Sequence, residues 1–419
     1  MKNLALTILS LVLTASVGPA KPERSQSRSS ENRSEATSSA KRRARIIVLG
    51  ITDHSGQLVS PLNSPGMVTA FIDRVHPDAI CIERPPAEAA RNDFYEFTYE
   101  VQGIVLPYAA AHRTELCPVD WMPPVEDQKL GFGRDLDVPP EIRPKGPQGF
   151  VFFPDPKSLK ADIFAADDPA TMQPITNWAS KQPERADKDF PRRLYLYRTF
   201  LQAELIRAAA RKHSEGTLLV VIGAFHKPDI EAILSHDEAI DLEQPSAIGR
   251  PSIDEAERAT TSPQRVAVLS FNLLGLQAQT GNVDWDWMQR TVHALATPAC
   301  TPECQLFRVR LDQLTGKISA DSAMRRYREL IAATPPDVTF SWTGVKDTAR
   351  LDSYFDPFGN LSVRQRATLE LVRVLRAMGA TAEATSLLDK LKHEIGERKG
   401  RQLNEYAIEY LKLEPGTSK

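Results

Sequence analysis

Four polar side chains lie within a few residues of the ends of short apolar runs in this chain, and their types suit hydrolytic chemistry. They are His54, Glu83, Asp120 and His226. Two imidazoles and a carboxylate brought to one place form a ligand set suited to Zn, Mn or Co, with positions left open for water. A bound divalent ion lowers the pKa of that water and polarises a carbonyl. The pattern therefore predicts His54, Glu83 and His226 as metal ligands of a hydrolase.

Each of these residues also has a plain structural interpretation. A histidine at a strand end is often a hydrogen-bonding residue, and Asp120 would serve as the cap of a following turn. Arg198, which we predict to stabilise an oxyanion or orient a carboxylate beside Glu83 and Asp120, would equally form a surface ion pair. The sequence carries no Gly-x-Ser-x-Gly elbow, phosphate loop, His-Glu-x-x-His helix or dinucleotide fingerprint. His54, Glu83, Asp120, Arg198 and His226 are thus the main candidates for catalytic residues.

The apolar runs predict an α/β fold with a mostly parallel sheet and helices on both faces. Each run is short and ends in turn or polar residues, as buried parallel strands do. The runs are 46–50, 79–82, 116–119 and 217–222, with 266–269 as a candidate final strand. Helical patterns lie between them, the strongest over about 190–212. Because ligands bind beyond the carboxyl ends of such strands, we expect the four polar residues to share one crevice.

Length and composition predict more than one folded unit and exclude several classes of protein. The chain has 419 residues, 42 % hydrophobic and 25 % charged, with a formal net charge of −2. A net charge this close to zero produces no long-range electric field that would attract phosphate groups, so nucleic acid is not an expected partner. We predict an α/β domain over 45–280 and a helical domain over 281–419 with a loosely tetratricopeptide-like hairpin around Gly379. We interpret the helical domain as a packing or protein-partner surface.

The N-terminal residues predict export. Lys2, the apolar run 4–17 and the small residues 18–20 form a secretory signal over 1–20, too short to span a bilayer. A polar segment over 21–44 predicts a disordered linker. We therefore expect a periplasmic or secreted protein with no membrane span after cleavage.

Four cysteines fit an oxidising compartment. Cys300 and Cys304 are spaced to close a short disulfide loop. Cys81 and Cys117 lie in predicted core strands, where they are either buried thiols or a second disulfide if those strands are neighbours.

Three of these motifs resemble the TraB/PrgY/GumN–Tiki family, within the wider group of erythromycin-esterase-like and ChaN-like proteins. The motifs are Gly-Ile-Thr-Asp-His at 50–54, the strand ending in Glu83, and Gly-Ala-Phe-His at 223–226. The family pattern has two Gly-x-x-His elements, and here the first has three residues between Gly50 and His54. The resemblance covers about 45–240 and includes Asp120 and the segment around Arg192, Arg193 and Arg198.

The resemblance implies an exported metal-dependent hydrolase of peptide or ester bonds that takes a peptide or a small molecule as its substrate. Glu83 would then bind the metal or act as a general base. Haem-binding and pheromone-limiting relatives leave open a second function, non-catalytic ligand binding in the envelope. A third alternative is a scaffold whose helical domain binds a partner.

Overall fold

The computed structural model describes residues 43–133, 135–137 and 151–411. The predicted signal peptide and the predicted linker up to residue 42 lie outside the described residues. The first strand begins at Ala44, one residue before the predicted start of the α/β domain.

Five parallel strands form one sheet, in agreement with the predicted fold class. They are β1 (Ala44–Ile51), β2 (Ala79–Ile82), β3 (Glu115–Pro118), β4 (Thr217–Gly223) and β5 (Ile240–Glu243). The order across the sheet is β3-β2-β4-β1-β5. In this register Val48 lies opposite Val220, and Ile82 lies opposite Val221. The carboxyl ends of the three central strands therefore meet at one edge.

Helices connect the strands and continue to the C-terminal end of the described chain. Those of the α/β part are α1 (Pro65–Val75), α2 (Pro86–Ala90), α3 (Leu106–His112), α4 (Val125–Phe132), α5 (Pro169–Ala179), α6 (Ala186–Lys212), α7 (Lys227–Leu234), α8 (Pro245–Ile248), α9 (Ile253–Ala259) and α10 (Ser262–Leu269). A π-helical segment, Glu100–Val105, leads directly into α3. The helical part contains α11 (Trp285–Leu295), α12 (Pro302–Leu314), α13 (Ala320–Ala333), α14 (Val363–Ala377), α15 (Thr381–Glu394) and α16 (Glu397–Tyr410).

Both faces of the sheet are buried, which explains why the strands read as continuous apolar runs. Successive side chains of a strand point to opposite faces. Ile46 and Val48 pack with α6 and α7 on one face. Ile47 and Leu49 pack on the other face with α1, α10 and the C-terminal helices.

The predicted strand at 266–269 is wrong, because these residues end α10. Thr261 caps this helix, and its hydroxyl and the Gln264 side chain form a reciprocal capping box. Pro263 lies in the first turn, where its missing N–H is tolerated. The last four residues are all buried, so the apolar run shows neither a helical nor a strand period. The fifth strand is Ile240–Glu243, in a segment that the sequence presents as polar.

The core is continuous across the predicted domain boundary at residue 280. One hydrophobic cluster joins Ile47 of β1 to Phe307 of α12, Leu369 of α14 and Leu403 of α16. Gly379, between α14 and α15, has a φ of 81°, a left-handed value that suits the turn of the predicted hairpin. Among the described residues, none of the helices combines the length and the apolar character needed to cross a membrane.

All four cysteines are paired. Cys300 bonds Cys304, as the spacing predicts. Cys81 bonds Cys117 because β2 and β3 are neighbours and the register places these two residues opposite each other.

Candidate active site

A crevice of about 600 Å³ lies at the carboxyl ends of β1, β2 and β4. Its polar lining includes His54, Glu83, Arg198 and His226, four of the five residues predicted from the sequence. Its walls are mostly apolar and aromatic, and the aromatic residues are Phe97, Phe132, Trp178, Tyr195, Phe225 and Tyr354. A few polar groups in an otherwise apolar concave surface are typical of a small-molecule site.

Arg198 of α6 is the centre of the polar end of this crevice. Its Nη2 donates to Glu83 Oε1 at 2.7 Å and to Asp120 Oδ2 at 2.7 Å, while its Nε donates to Asp120 Oδ1 at 2.9 Å. Burial alone would lower the pKa of Arg198, but the charges of Asp120 and Glu83 raise it above its ordinary value. The guanidinium therefore stays charged and holds both carboxylates in place.

Asp120 is a positioning residue for Arg198. It is 1 % exposed, and it also accepts hydrogen bonds from Gln202 Nε2 at 2.8 Å and Tyr95 OH at 3.3 Å. Gln202 lies one helical turn after Arg198 on α6, so both reach the same carboxylate. Because these hydrogen bonds occupy both oxygens of the Asp120 carboxylate within the fold, we assign Asp120 a supporting role in the crevice.

His226 is neutral, and its hydrogen bonds define its tautomer. Thr199 Oγ1 donates its hydrogen to the carbonyl of Tyr195 at 2.8 Å, so it accepts from His226 Nδ1 at 2.7 Å. His226 Nε2 then carries the lone pair and accepts from Arg198 Nη1 at 3.2 Å. Burial, followed by the charge of Arg198, holds the pKa of His226 well below its usual range.

His54 has the opposite protonation state. Its Nδ1 is 2.8 Å from Glu100 Oε1, and Glu100 is 2 % exposed. Burial lowers the pKa of His54, but the negative charges of Glu100, Glu83 and Asp53 outweigh that effect and raise it to about 9. The ring is nevertheless 30 % exposed, so a charged imidazolium borders the crevice.

Glu83 and His54 converge over Gly223. Gly223 N–H donates to Glu83 Oε2 at 2.7 Å. A Cβ at Gly223 would lie 3.2 Å from Glu83 Oε2 and 4.0 Å from His54 Nε2. The missing side chain therefore leaves space where a carboxylate and an imidazolium face each other.

The arrangement suits a guanidinium better than a divalent metal ion. Arg198 bonds Glu83, Asp120 and His226, and so occupies the point on which these groups converge. In 43–133, 135–137 and 151–411, no group of three or more His, Cys, Asp or Glu side chains is placed to hold a metal ion. The residues as arranged do not fit the predicted Mn, Co or Zn ion, whose presence stays a prediction.

Sequence reasoning missed five residues that form or support the site. Glu100 is an acidic residue on the buried face of an apolar segment, and Thr199 and Gln202 share the buried face of α6 with Arg198; both patterns are visible in the sequence. Phe97 and Tyr354 reach the crevice without any local signal, because their position depends on how distant segments pack.

Comparison of the chain with protein-family models, with curated proteins and with solved structures gives no match. The resemblance to the TraB/PrgY/GumN–Tiki family therefore rests on the motifs alone.

Proposed function

We propose that this protein is a hydrolase of ester or peptide bonds, with Glu83 as its general base and His54 as its general acid. The observation that carries the proposal is the pairing of a fixed carboxylate with a charged imidazolium above Gly223, in the crevice. A base and an acid placed side by side in one site are the usual basis of acid–base catalysis near neutral pH.

Glu83 is held in place but retains the capacity to act on water. Arg198 and Gly223 use one lone pair on each oxygen, and a carboxylate has about four acceptor positions. A water bound to Glu83 would lose a proton to it as its oxygen attacks the carbonyl carbon.

His54 supplies the complementary step. Its imidazolium would stabilise the oxyanion of the tetrahedral intermediate or protonate the leaving oxygen or nitrogen as the carbon–heteroatom bond breaks. Transfer of the proton from Glu83 to His54 through solvent then restores the starting protonation states of both residues. No step in this scheme depends on a metal ion.

Export to the periplasm or medium is part of the proposal. Both cysteine pairs are disulfides, and disulfides persist in oxidising compartments. The apolar run near the N-terminus supports the same address.

Hydrolysis of p-nitrophenyl acetate and of a mixture of short peptides by the purified full chain tests the proposal. We expect Glu83→Gln to lower kcat/KM by about 10²–10⁴-fold, the usual contribution of a general base. Glu405→Gln, an exposed residue on α16, is the matched control and should leave kcat/KM unchanged. Turnover by the wild type at the background rate, or equal turnover by Glu83→Gln, would refute the proposal.

The role of a metal is tested on the same enzyme. The enzyme is dialysed against a chelator, and its metal content is then measured. We expect the metal-free enzyme to retain its activity. Loss of activity that Mn, Co or Zn restores would replace this mechanism with the metal-dependent one that the sequence predicts.

A second candidate function is ligand binding without turnover, and the aromatic walls of the crevice favour it. Six aromatic residues line a cavity of about 600 Å³, enough for an apolar ligand of moderate size. Thermal stabilisation by such a ligand in the absence of any hydrolysis would support this function over the first.

A further inference from the structure

The wall of the crevice beside His54 is aromatic and comes from two distant segments. The ring of Phe97 lies 5.1 Å from that of His54 and 5.9 Å from that of Tyr354. Phe97 also stacks on Tyr95, with a ring separation of 5.2 Å and an angle of 16°. We call Phe97 and Tyr354 the ring wall.

Tyr354 belongs to the connection between α13 and α14, in the part of the chain assigned to the helical domain. Hydrogen bonds within this connection fix its conformation. Ser353 N–H donates to the carbonyl of Asp356 at 3.0 Å, and Ser353 Oγ accepts from the N–H groups of Phe355 and Asp356 at 3.3 and 3.2 Å. Phe355 is buried, and its ring contacts that of Tyr354 and supports it.

Buried polar contacts connect this segment both to α16 and to Glu96 of the α/β part. Asp352 Oδ2 accepts from Tyr406 OH of α16 at 3.0 Å, and Asp352 Oδ1 accepts from Arg350 Nε at 3.0 Å. Arg350 Nη1 in turn donates to Glu96 Oε2 at 3.3 Å, and Glu96 precedes Phe97. Both members of the ring wall are thus positioned by one network.

We propose that the ring wall binds an aromatic or bulky apolar group of the ligand, and that Tyr354 determines specificity for that group. The inference rests on the proposed function for its catalytic readout. Aromatic rings bind flat apolar groups by stacked or edge-to-face contact, and the contact excludes water from the neighbouring polar atoms. The position of the ring wall next to His54 would bring such a group close to the reacting bond.

The helical part of the chain therefore helps to form the catalytic crevice in this proposal. Tyr354, which lies more than 250 residues after Phe97 in the sequence, would determine which substrates bind. The substrate class is an ester or amide with an aromatic or large apolar substituent next to the carbonyl, in preference to an acetyl group.

Two esters with the same leaving group test the proposal, p-nitrophenyl phenylacetate and p-nitrophenyl acetate. We expect the wild type to prefer the phenylacetate, and Tyr354→Ala to lower the ratio of the two kcat/KM values by about tenfold or more, as expected when a ring–ring contact and its buried area are lost. Tyr354→Phe should keep the ratio. Tyr197→Ala, which removes an exposed ring that does not line the crevice, is the matched control and should keep it as well.

Binding of a neutral probe separates this proposal from the hydrolase proposal. Phenylacetamide and acetamide are compared by calorimetry on wild type, Tyr354→Ala and Tyr354→Leu, the last of which keeps apolar bulk without the ring. Tighter binding of phenylacetamide that depends on the ring supports the ring wall even if neither ester is hydrolysed. An unchanged ester ratio and unchanged phenylacetamide binding in folded Tyr354→Ala or Tyr354→Leu would overturn it.

Discussion

His54 and Glu100 control the charge of the crevice at the scale of single residues. Glu100 lies in a π-helical segment, a form of helix often found at functional sites. Its carboxylate is buried against His54 Nδ1 and raises the pKa of that imidazole despite the effect of burial. A carboxylate that the sequence presents as part of an ordinary helix therefore keeps His54 in its acid form.

Replacement of Glu100 by Gln should move the alkaline limit of activity. In the wild type we expect kcat/KM to fall as pH rises through about 9, because His54 then loses its proton. In Glu100→Gln the limit should move down towards or below 6.5, the ordinary pKa of histidine. The pH profile of kcat/KM measures this shift.

The same pair affects stability in a defined pH window. The pKa of His54 is raised in the folded state, so its contribution to stability is complete below about 6.5 and is lost as pH rises through about 9. The two measurements are the pH profile of kcat/KM and the unfolding free energy as a function of pH. Glu405→Gln, on the exposed face of α16, is the control for both. If the alkaline limit of Glu100→Gln matches that of the wild type, Glu100 does not control His54.

At the scale of elements, β2 and β3 bring Glu83 and Asp120 to Arg198. These strands are cross-linked by the Cys81–Cys117 disulfide, two residues before Glu83 and three before Asp120. β3 is at the edge of the sheet and pairs only with β2 in the described fold. The disulfide therefore restrains the strand that supports Arg198.

We expect the double variant Cys81→Ala/Cys117→Ala to lose about 2–4 kcal/mol of unfolding free energy, because the disulfide closes a long loop in the unfolded chain. The two cysteines are 36 residues apart. Cys300→Ala/Cys304→Ala is the matched control, with a separation of 4 residues, and should lose less. Urea unfolding of the three proteins gives these values, and an equal loss in both variants would contradict the expected effect of loop length.

At the scale of the whole molecule, one apolar core joins the sheet to α16, and one polar network joins Glu96 to the same helix. The apolar cluster that begins on β1 ends on α16. Tyr406 of α16 donates to Asp352, and through Arg350 the network extends to Glu96, the residue before Phe97 of the crevice wall. The C-terminal helices thus support the ring wall as well as their own packing.

Tyr406→Phe tests this connection with the loss of a single hydroxyl. Without that donor, a buried Asp352 oxygen loses a hydrogen bond, which should cost about 1–3 kcal/mol of unfolding free energy. We also expect a lower preference for the phenylacetate ester, since the segment that contains Tyr354 is less restrained. Tyr197→Phe, at an exposed position, should change unfolding by no more than about 0.5 kcal/mol. Equal stability of the two variants would argue against a structural role for the network.

The sequence determined the sheet and the crevice edge, because both depend on local patterns. Four apolar runs became β1 to β4, and turn residues and polar side chains mark their carboxyl ends. Since parallel strands place those ends at one edge, the proximity of His54, Glu83 and His226 also followed from the sequence. The run at 266–269 misled because a short buried segment carries no period.

Only the tertiary structure decided which groups are charged and what surrounds them. The protonation of His54 depends on Glu100, and the central place of Arg198 depends on Glu83 and Asp120 reaching it from neighbouring strands. Tyr354 joins the crevice through a network that spans Glu96 to Tyr406. A pKa and a pocket wall are sums over neighbours in space, and the spacing of residues along a chain does not contain that information.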